Sequence, residues 1–338
     1  MSFNSIGDLA SNVMLNQAST RVKRSLMQLS QELTTGVTSD VRSTLRNDLT
    51  HQMDWEHRLL ANSVQDKTLS EALVKIQAKQ SVLGSINDTI VSFANSVETT
   101  GIGIGSAVAS TNVLSKNAKT LLEQVVSQLN TRAAGQTLFA GTDTDLVSMA
   151  SVEDTMTSVK ASIGPVATVD DVVQGVKDWM NDPVAGYQAI AYLGSTDDPS
   201  PIRLTSNRTI SETSKADHEA LQAVVENLIL ATLSSDETFA PSEIIQVDLL
   251  QTSSNGLRSA DASLIELRAS LGFVEAELER QKVKTSAETS TLEQLRANVL
   301  GIDEYEVASK LQETELQLEK IYAMTARSAR MSLLEYLQ

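Results

Sequence analysis

The five prolines of the chain are confined to one region, and this distribution limits the architecture more than any other feature. They are Pro165, Pro183, Pro199, Pro201 and Pro241, so the first 164 of the 338 residues and the last 97 contain none. A proline in a helix interior removes a hydrogen bond and costs about 3 kcal/mol. Two long proline-free flanks predict a mainly α protein: a long antiparallel helical rod built from both chain ends, with a small α+β domain inserted.

Apolar residues in both flanks recur at alternating steps of three and four, the spacing of a coiled-coil seam. Near the start this series is Val22, Leu26, Leu29 and Leu33, and it stops at Gly36, a residue able to adopt the left-handed conformation that ends helices. Nearer the end the series is Val307, Leu311, Leu318 and Ile321. Isolated helices are marginal in water, so these stripes are expected to pack on one another or on other chains.

The centre of the chain has a different composition and a different pattern. Between residues 143 and 243 there are 17 acidic and 5 basic side chains, against 26 and 22 in the rest of the chain. Residues 169–180 and 214–233 have helical periodicity, whereas residues 188–193, 202–205 and 209–212 are short and β-like. We therefore predict an acidic insert with a β-hairpin, facing solvent.

These patterns predict three regions. Residues 1–44 and 299–338 form terminal helices, residues 45–145 and 246–298 form the helical rod domain, and residues 146–245 form the insert.

Residues suited to catalysis or metal binding are scarce. The chain has no cysteine, and its histidines are His51, His57 and His218. The first two are six residues apart, which places them on different faces of a helix. The glycine-rich segment 101–106 lacks the Gly-Lys-Ser/Thr of a phosphate-binding loop and is better interpreted as a turn between helices. The sequence predicts no enzyme activity, no metal and no cofactor.

Charge and hydropathy restrict the partners. The net charge of −16 argues against nucleic-acid binding. No apolar run approaches 18 residues, which argues against membrane insertion. The first residues lack a basic segment followed by an apolar block, so no cleaved signal peptide is expected.

Four segments resemble the bacterial flagellin family. Residues 31–36 (QELTTG) resemble the end of its N-terminal helix, and residues 298–308 (NVLGIDEYEVA) resemble the bend before its last helix. Residues 133–142 (AAGQTLFAGT) and 331–337 (MSLLEYL) are similar to signatures of its type 3 hook-associated branch, the hook–filament junction proteins. One departure is residues 46–49 (RNDL), where many members carry an Asp-Asp-Pro-like stretch. The likeness covers residues 1–145 and 246–338, and the insert resembles nothing we can name.

This resemblance implies an extracellular structural subunit at the hook–filament junction, exported unfolded by the flagellar type III apparatus. Its terminal helices would form the inner tube and remain mobile in the monomer. Implied partners are other axial proteins (the first hook-associated junction protein and flagellin), further copies of the chain in a ring, and a small helical export chaperone. The chaperone would hold apolar residues of the last helix, namely Leu318, Ile321, Met324, Met331, Leu334 and Leu337, with Leu311 as a further contact.

Two other functions remain open from the sequence. Flagellin itself shares the terminal helices, and the segment 138–142 with the Tyr336-Leu337 ending favours the junction protein over it. A cytoplasmic coiled-coil adaptor explains the apolar repeats equally well. It does not explain the pairing of N- and C-terminal helices around an insert.

Overall fold

A computed structural model describes residues 4–41, 50–99, 108–164, 168–205, 207–236, 238–240 and 242–336. It is mainly helical, with two small two-stranded sheets, which confirms the predicted fold class. The described α-helices are α1 (Asn4–Thr35), α2 (Thr50–Thr99), α3 (Val108–Leu129), α4 (Val152–Ser162), α5 (Val169–Asn181), α6 (Glu219–Leu233), α7 (Glu243–Leu300) and α8 (Glu304–Tyr336). The strands are β1 (Arg132–Ala133), β2 (Gln136–Thr137), β3 (Ile202–Thr205) and β4 (Arg208–Ile210), and a short π-helix spans Tyr187–Ala191.

The chain divides into two compact units. The terminal unit comprises Met1–Val64 and Thr285–Gln338, and the central unit comprises Gln65–Lys284. Both divisions fall inside long helices, α2 and α7. The predicted insert and the adjoining helical segments from residue 65 therefore belong to one central unit.

In the central unit, α2 and α7 run antiparallel. Gln80 donates to the carbonyl oxygen of Arg268 at 2.7 Å, and Ser254 donates to that of Ala94 at 3.2 Å. Apolar residues of both helices line the contact between α2 and α7, where Leu83 and Leu264 are fully buried. Helix α3 packs on α6, where Ser115 donates to the carbonyl oxygen of Thr232 at 2.9 Å.

Short helices and turns complete the core of the central unit. Helix α5 begins with a capping box, in which the Thr168 hydroxyl accepts from the Asp171 N–H and the Asp171 carboxylate accepts from the Thr168 N–H. Its apolar face buries Trp179, whose ring meets that of Tyr187 edge-on at 6.4 Å between centroids. A single apolar cluster from Leu69 to Leu278 results.

The hairpin predicted in the insert is present, and β3 has the predicted bounds. Strand β4 begins at Arg208 and ends at Ile210, because Glu212 leaves the sheet to contact Ser214 and Lys79. Pairing is antiparallel, with Ile202 opposite Ile210.

Two predicted segments of the insert were wrong. Residues 188–193 are not a strand, because Tyr187–Ala191 forms a π-helix, and Tyr187 is held by its hydroxyl donating to the carbonyl oxygen of Ala216 at 2.7 Å. Helix α6 does not begin at residue 214. Its N-cap is His218, whose Nδ1 accepts from the Ala220 N–H at 3.2 Å.

Among the described helices, none combines the length and the apolar character needed to cross a bilayer.

Candidate assembly surface

The terminal unit brings the two terminal helices together. Helices α1 and α8 pack against each other. They run antiparallel, since Val37 forms a bridge with Gly301 while Lys23, further toward the start, lies 5.5 Å from the ring centre of Tyr322. This is the pairing of N- and C-terminal helices that the sequence predicted.

The turn after α1 is fastened to the break between α7 and α8. The Thr38 N–H donates to the carbonyl oxygen of Leu300 at 2.9 Å, and the Ile302 N–H donates to that of Gly36 at 3.2 Å. Gly36 has φ +69°, the left-handed conformation expected for the residue that ends α1. A Cβ added to Gly301 would overlap the carbonyl oxygen of Ala297, so this position requires glycine. The predicted bend before the last helix is therefore present.

Glu32 lies at the same junction and forms what we call the Glu32 latch, made of Glu32 and Ser39. The residue is 7% exposed, and its carboxylate accepts from the Ser39 N–H at 2.9 Å and from the Ser39 hydroxyl at 2.5 Å. Burial raises the pKa of Glu32, but the two Ser39 hydrogen bonds, with help from Gln28 and Lys310, hold it below the ordinary value. The latch is thus strongest when Glu32 is ionised.

Most of the predicted seam residues lie on the sides of the helices that are shielded from solvent. In α1, Val22, Leu26 and Leu29 are half-buried, whereas Leu33 is 37% exposed and Glu32 takes the buried position. In α8 the shielded positions recur at steps of four and three, namely Val307, Leu311, Thr314, Leu318, Ile321 and Thr325. The heptad spacing therefore located one face of each helix.

Positions outside the seam carry exposed apolar side chains. Met14 and Met27 of α1 are 71% and 70% exposed, and Leu316 and Met324 of α8 are 55% and 61% exposed. Sequence reasoning included only Met324 among them, because the others are isolated apolar residues outside the seam. Both helices therefore keep exposed apolar side chains in addition to the seam.

The residues predicted to bind a chaperone do not share one face. Leu318 and Ile321 lie on the shielded side of α8, and Met324 is exposed. The side chains of Met331 and Leu334, and the whole of Leu337, lie outside what the structure describes.

The junction-protein signature at residues 138–142 lies inside the central unit. Leu138, Phe139 and Ala140 are buried. The carbonyl oxygens of Phe139 and Ala140 accept from the Ala216 and Ser195 N–H groups, both at 2.9 Å. Gly141 has φ +68°, and a Cβ there would lie 2.6 Å from the Ser195 carbonyl oxygen. This segment therefore joins two loops of the core and is not a docking surface.

A buried ion pair that the sequence did not reveal lies next to this segment. The Lys79 ammonium donates to the Glu212 carboxylate at 2.5 Å and to the Ser214 carbonyl oxygen at 3.0 Å. Desolvation lowers the pKa of Lys79, and the charge of Glu212 opposes that shift. Lys79 also borders a cleft of about 590 Å³, whose other lysine, Lys75, donates to Gln136 at 2.5 Å. Both lysines are thus engaged by the chain's own groups.

The candidates for metal or catalytic chemistry do not come together in the described residues. No group of three or more potential metal-ligating side chains is found there. His57 is exposed, and His218 serves as the cap of α6. The side chain of His51 and the glycine-rich segment 101–106 lie outside what the structure describes.

The two terminal helices pair antiparallel, and the chain between them contains an inserted domain. This arrangement is a flagellin-like helical architecture. Comparison with known families agrees, because residues 255–337 match the family described as the bacterial flagellin C-terminal helical region. The C-terminal helical region of this chain is therefore similar to that of bacterial flagellins.

Two further comparisons complete this result. A solved structure from Vibrio parahaemolyticus, provisionally described as a flagellar hook-associated protein, aligns with a TM-score of 0.53. The alignment covers 73% of this chain and 94% of that one at 14% identity, so the likeness establishes a shared fold. No protein of curated function matches the chain.

Proposed function

We propose that this chain is a structural subunit of the bacterial flagellum that joins the hook to the filament. In this proposal it is exported through the flagellar type III apparatus, assembles through its terminal helices and catalyses no reaction. The observation that carries the proposal is the α1–α8 pair. Helix α8 lies within the segment that matches the flagellin C-terminal region, and both helices keep apolar side chains exposed.

The physical reason for assembly through the terminal helices is that the terminal unit buries little apolar surface by itself. Among the described side chains of the terminal unit, the buried apolar ones are Leu292, Leu300 and Val307. A helix pair with so small a core gains little from hydrophobic burial, which contributes roughly 25 cal/mol per Å². Packing against neighbouring subunits would bury the remaining apolar side chains. Val22, Leu26, Leu29, Leu33, Val307, Leu311, Leu318 and Ile321 would then support the assembled interface from within.

The choice of the junction role over the filament role rests on sequence resemblance. The signature at residues 138–142 and the Tyr336-Leu337 ending are similar to junction proteins, while the family match at residues 255–337 is to flagellins in general. A filament subunit is therefore the second candidate. A junction protein would form one short ring between the first hook-associated protein and flagellin, whereas flagellin would be present in thousands of copies.

The proposed role is tested by deleting the gene and examining the cells by electron microscopy. We expect hooks without filaments and flagellin monomers in the medium. Normal filaments in the deletion strain would contradict the proposal, and hooks without filaments but with this chain absent from sheared flagella of the parent would favour a cytoplasmic role.

The deletion strain also allows a test of the surface. Restoring the gene with Met27→Asp and Met324→Asp places charges on the outward faces of the helix pair, and we expect filaments to remain absent. Val184→Asp is the matched control, because Val184 is 81% exposed in the central unit and lies in the predicted solvent-facing insert. That variant should restore filaments. Filaments restored equally by both variants would contradict the proposed assembly surface.

We further propose that an export chaperone holds the last helix through Leu318, Ile321, Met324, Met331, Leu334 and Leu337. Because Leu318 and Ile321 lie on the shielded side of α8, the chaperone would replace α1 there by helix-in-groove binding. The double variant Leu318→Asp and Ile321→Asp should lose chaperone binding in a pull-down, while Leu316→Asp, at an exposed position, should keep it. Binding by the double variant would exclude this site.

A further inference from the structure

The cleft beside Lys79 in the central unit has both polar and apolar walls. Its volume is about 590 Å³, a size typical of sites for small molecules. Helix α2 supplies one side, and the others come from the segments 136–144 and 199–203 together with Glu212. The apolar surface of the cleft is formed by Ala72, Ile76, Leu138 and Ile202.

The ionisable side chains that line this cleft carry more positive than negative charge. They are Glu71, Lys75, Lys79, Arg203 and Glu212. Lys79 and Glu212 compensate each other in the buried ion pair. Lys75 donates to the amide oxygen of Gln136, which is a neutral group, and it forms no ion pair among the described residues. Arg203 is exposed and also lacks an ion-pair partner there.

The remaining carboxylate, Glu71, does not cancel both of these cations. It is exposed and lies one turn before Lys75 on α2, but no ion pair joins these two described side chains. Three cations and two carboxylates leave one positive charge uncompensated. The cleft is therefore suited to an anion.

An unpaired cation stands out in the acidic insert to which Arg203 belongs. Between residues 143 and 243 there are 17 acidic and 5 basic side chains. Three of the five form ion pairs with carboxylates, namely Lys160, Arg208 and Lys215. Arg203 has none in the described part of the chain, although carboxylates are abundant, and it lines the same cleft as Lys75. This placement indicates an anion supplied from outside the chain.

Three hydroxyl groups at the cleft are also uncommitted. Thr142, Thr144 and Ser200 line it, and within the described residues their hydroxyls make no hydrogen bond. By contrast, the Thr137 hydroxyl donates to the carbonyl oxygen of Leu146 at 2.6 Å. A free hydroxyl can both donate and accept, so these three suit a ligand that carries hydroxyls of its own.

We infer that this cleft binds a sugar acid, a hydroxylated ring of hexuronate size with one carboxylate. The carboxylate pairs with Lys75 and Arg203, while the ring hydroxyls exchange hydrogen bonds with the hydroxyl groups of the cleft. The C–H face of the ring packs on the apolar surface. Every residue of the site belongs to the central unit, so the site does not depend on the proposed assembly role.

Net charge favours a carboxylate over a phosphate. One uncompensated positive charge matches a single carboxylate. A phosphate monoester carries about −1.5 to −2 at neutral pH and would leave excess negative charge beside Glu71 and Glu212. A carboxylate can also accept two parallel hydrogen bonds from the guanidinium of Arg203.

NMR titration of the full chain with D-glucuronate and D-galacturonate tests the ligand class. We expect saturable binding of at least one of them. Glucose has the hydroxyls without the carboxylate, and cyclohexanecarboxylate has the carboxylate without the hydroxyls. Each should bind about tenfold more weakly or worse, because the polar groups of the cleft are then left without partners.

Single substitutions assign the binding to this cleft. Lys75→Gln and Arg203→Gln each remove a pairing cation and should weaken hexuronate binding about tenfold or more. Glu71→Gln removes a like charge and should tighten binding about two- to threefold. Lys177→Gln is the matched control, because Lys177 is exposed, lies outside the cleft and also lacks an ion pair among the described residues. That variant should bind like the unaltered chain.

Arg203→Gln separates binding from folding. The Arg203 side chain is exposed and has no partner to lose within the described residues, whereas Lys75 also holds Gln136. The thermal midpoint of the Arg203→Gln variant should therefore stay unchanged while its hexuronate binding weakens. Arg203→Lys, which keeps the charge, should recover part of the affinity.

Several results would overturn the inference. One is the absence of saturable binding by both hexuronates. Another is binding that Arg203→Gln and Lys75→Gln leave unaltered, which would place the ligand elsewhere. Inorganic phosphate binding as tightly as the hexuronates would show a general anion site, and glucose binding equally well would exclude a role for the carboxylate. None of these results alters the gene-deletion phenotype by which the proposed function is tested.

Discussion

The terminal unit and the central unit are built from similar helices but differ in what they bury. In the central unit, apolar side chains from Leu69 to Leu278 form one continuous cluster that includes the fully buried Trp179 and Phe139. In the terminal unit the seam residues are mostly half-buried, and methionines such as Met14 stay exposed. The comparison teaches that a regular heptad pattern locates the face on which a helix packs, while the depth of the core decides which region is stable by itself.

The largest expected effect comes from truncating one apolar side chain in each unit, because the loss of stability should differ between them. Phe139→Ala removes a fully buried ring and should lower the free energy of unfolding of the central unit by about 3–5 kcal/mol. Leu26→Ala removes a half-buried side chain from the seam and should cost only about 1 kcal/mol, confined to the terminal unit.

The two tryptophans make this contrast measurable. In a Trp55→Phe background, fluorescence reports the central unit through Trp179, and urea titrations then give its stability. Hydrogen exchange of α1 and α8 gives the stability of the terminal unit. Equal losses from Phe139→Ala and Leu26→Ala would show that both regions depend on cores of similar depth.

Two glycines allow the two units to be compared through changes to the backbone. Gly272 lies inside α7, and Gly301 directly follows it. Gly301→Ala should destabilise the terminal unit by about 1–3 kcal/mol, since the new Cβ overlaps the carbonyl oxygen of Ala297 and the bend cannot keep its geometry. Gly272→Ala, where the nearest atom to a new Cβ is 3.7 Å away, should stabilise the central unit by about 0.5–1 kcal/mol through helix propensity. Thermal unfolding followed by circular dichroism measures both, and a stabilised Gly301→Ala variant would argue against the bend.

The smallest expected effect is the pH dependence of the Glu32 latch. The folded-state pKa of Glu32 is lowered, so its contribution to stability is complete above the unfolded value near 4.5 and is lost as the pH falls through the folded pKa. The protection of backbone amides at the junction of α1 with residues 36–40, measured as exchange corrected for its intrinsic pH dependence, should therefore fall on acidification. Glu32→Gln should show lower protection at neutral pH and little further loss in acid, and an unaltered acid response in that variant would assign the effect to another group.

Much of the fold could be predicted from the sequence because its signals are local and repeated. The steps of Val307, Leu311 and Leu318 located the shielded face of α8, and Gly36 marked the end of α1. The hairpin strand β3 was found because its alternation is bounded by turn residues at both ends.

The missed features depend on contacts between distant residues. The segment around Tyr187 has a short apolar run that fits a strand or a helix equally well. Its conformation is fixed by the hydrogen bond from the Tyr187 hydroxyl to the carbonyl oxygen of Ala216. The buried position of Glu32 follows from its bonds to Ser39, which no periodicity predicts. The pairing of Lys79 with Glu212 likewise joins residues 133 positions apart.

The central claim is that the terminal unit completes its packing only in the assembled structure. Hydrogen exchange by mass spectrometry, compared between the dilute chain and its assembled form, tests it directly. We predict fast exchange in α1 and α8 and slow exchange in the buried parts of α2 and α7 for the dilute chain, with α1 and α8 alone becoming protected on assembly. Slow exchange in α1 and α8 of the dilute chain, unchanged by assembly, would contradict the account.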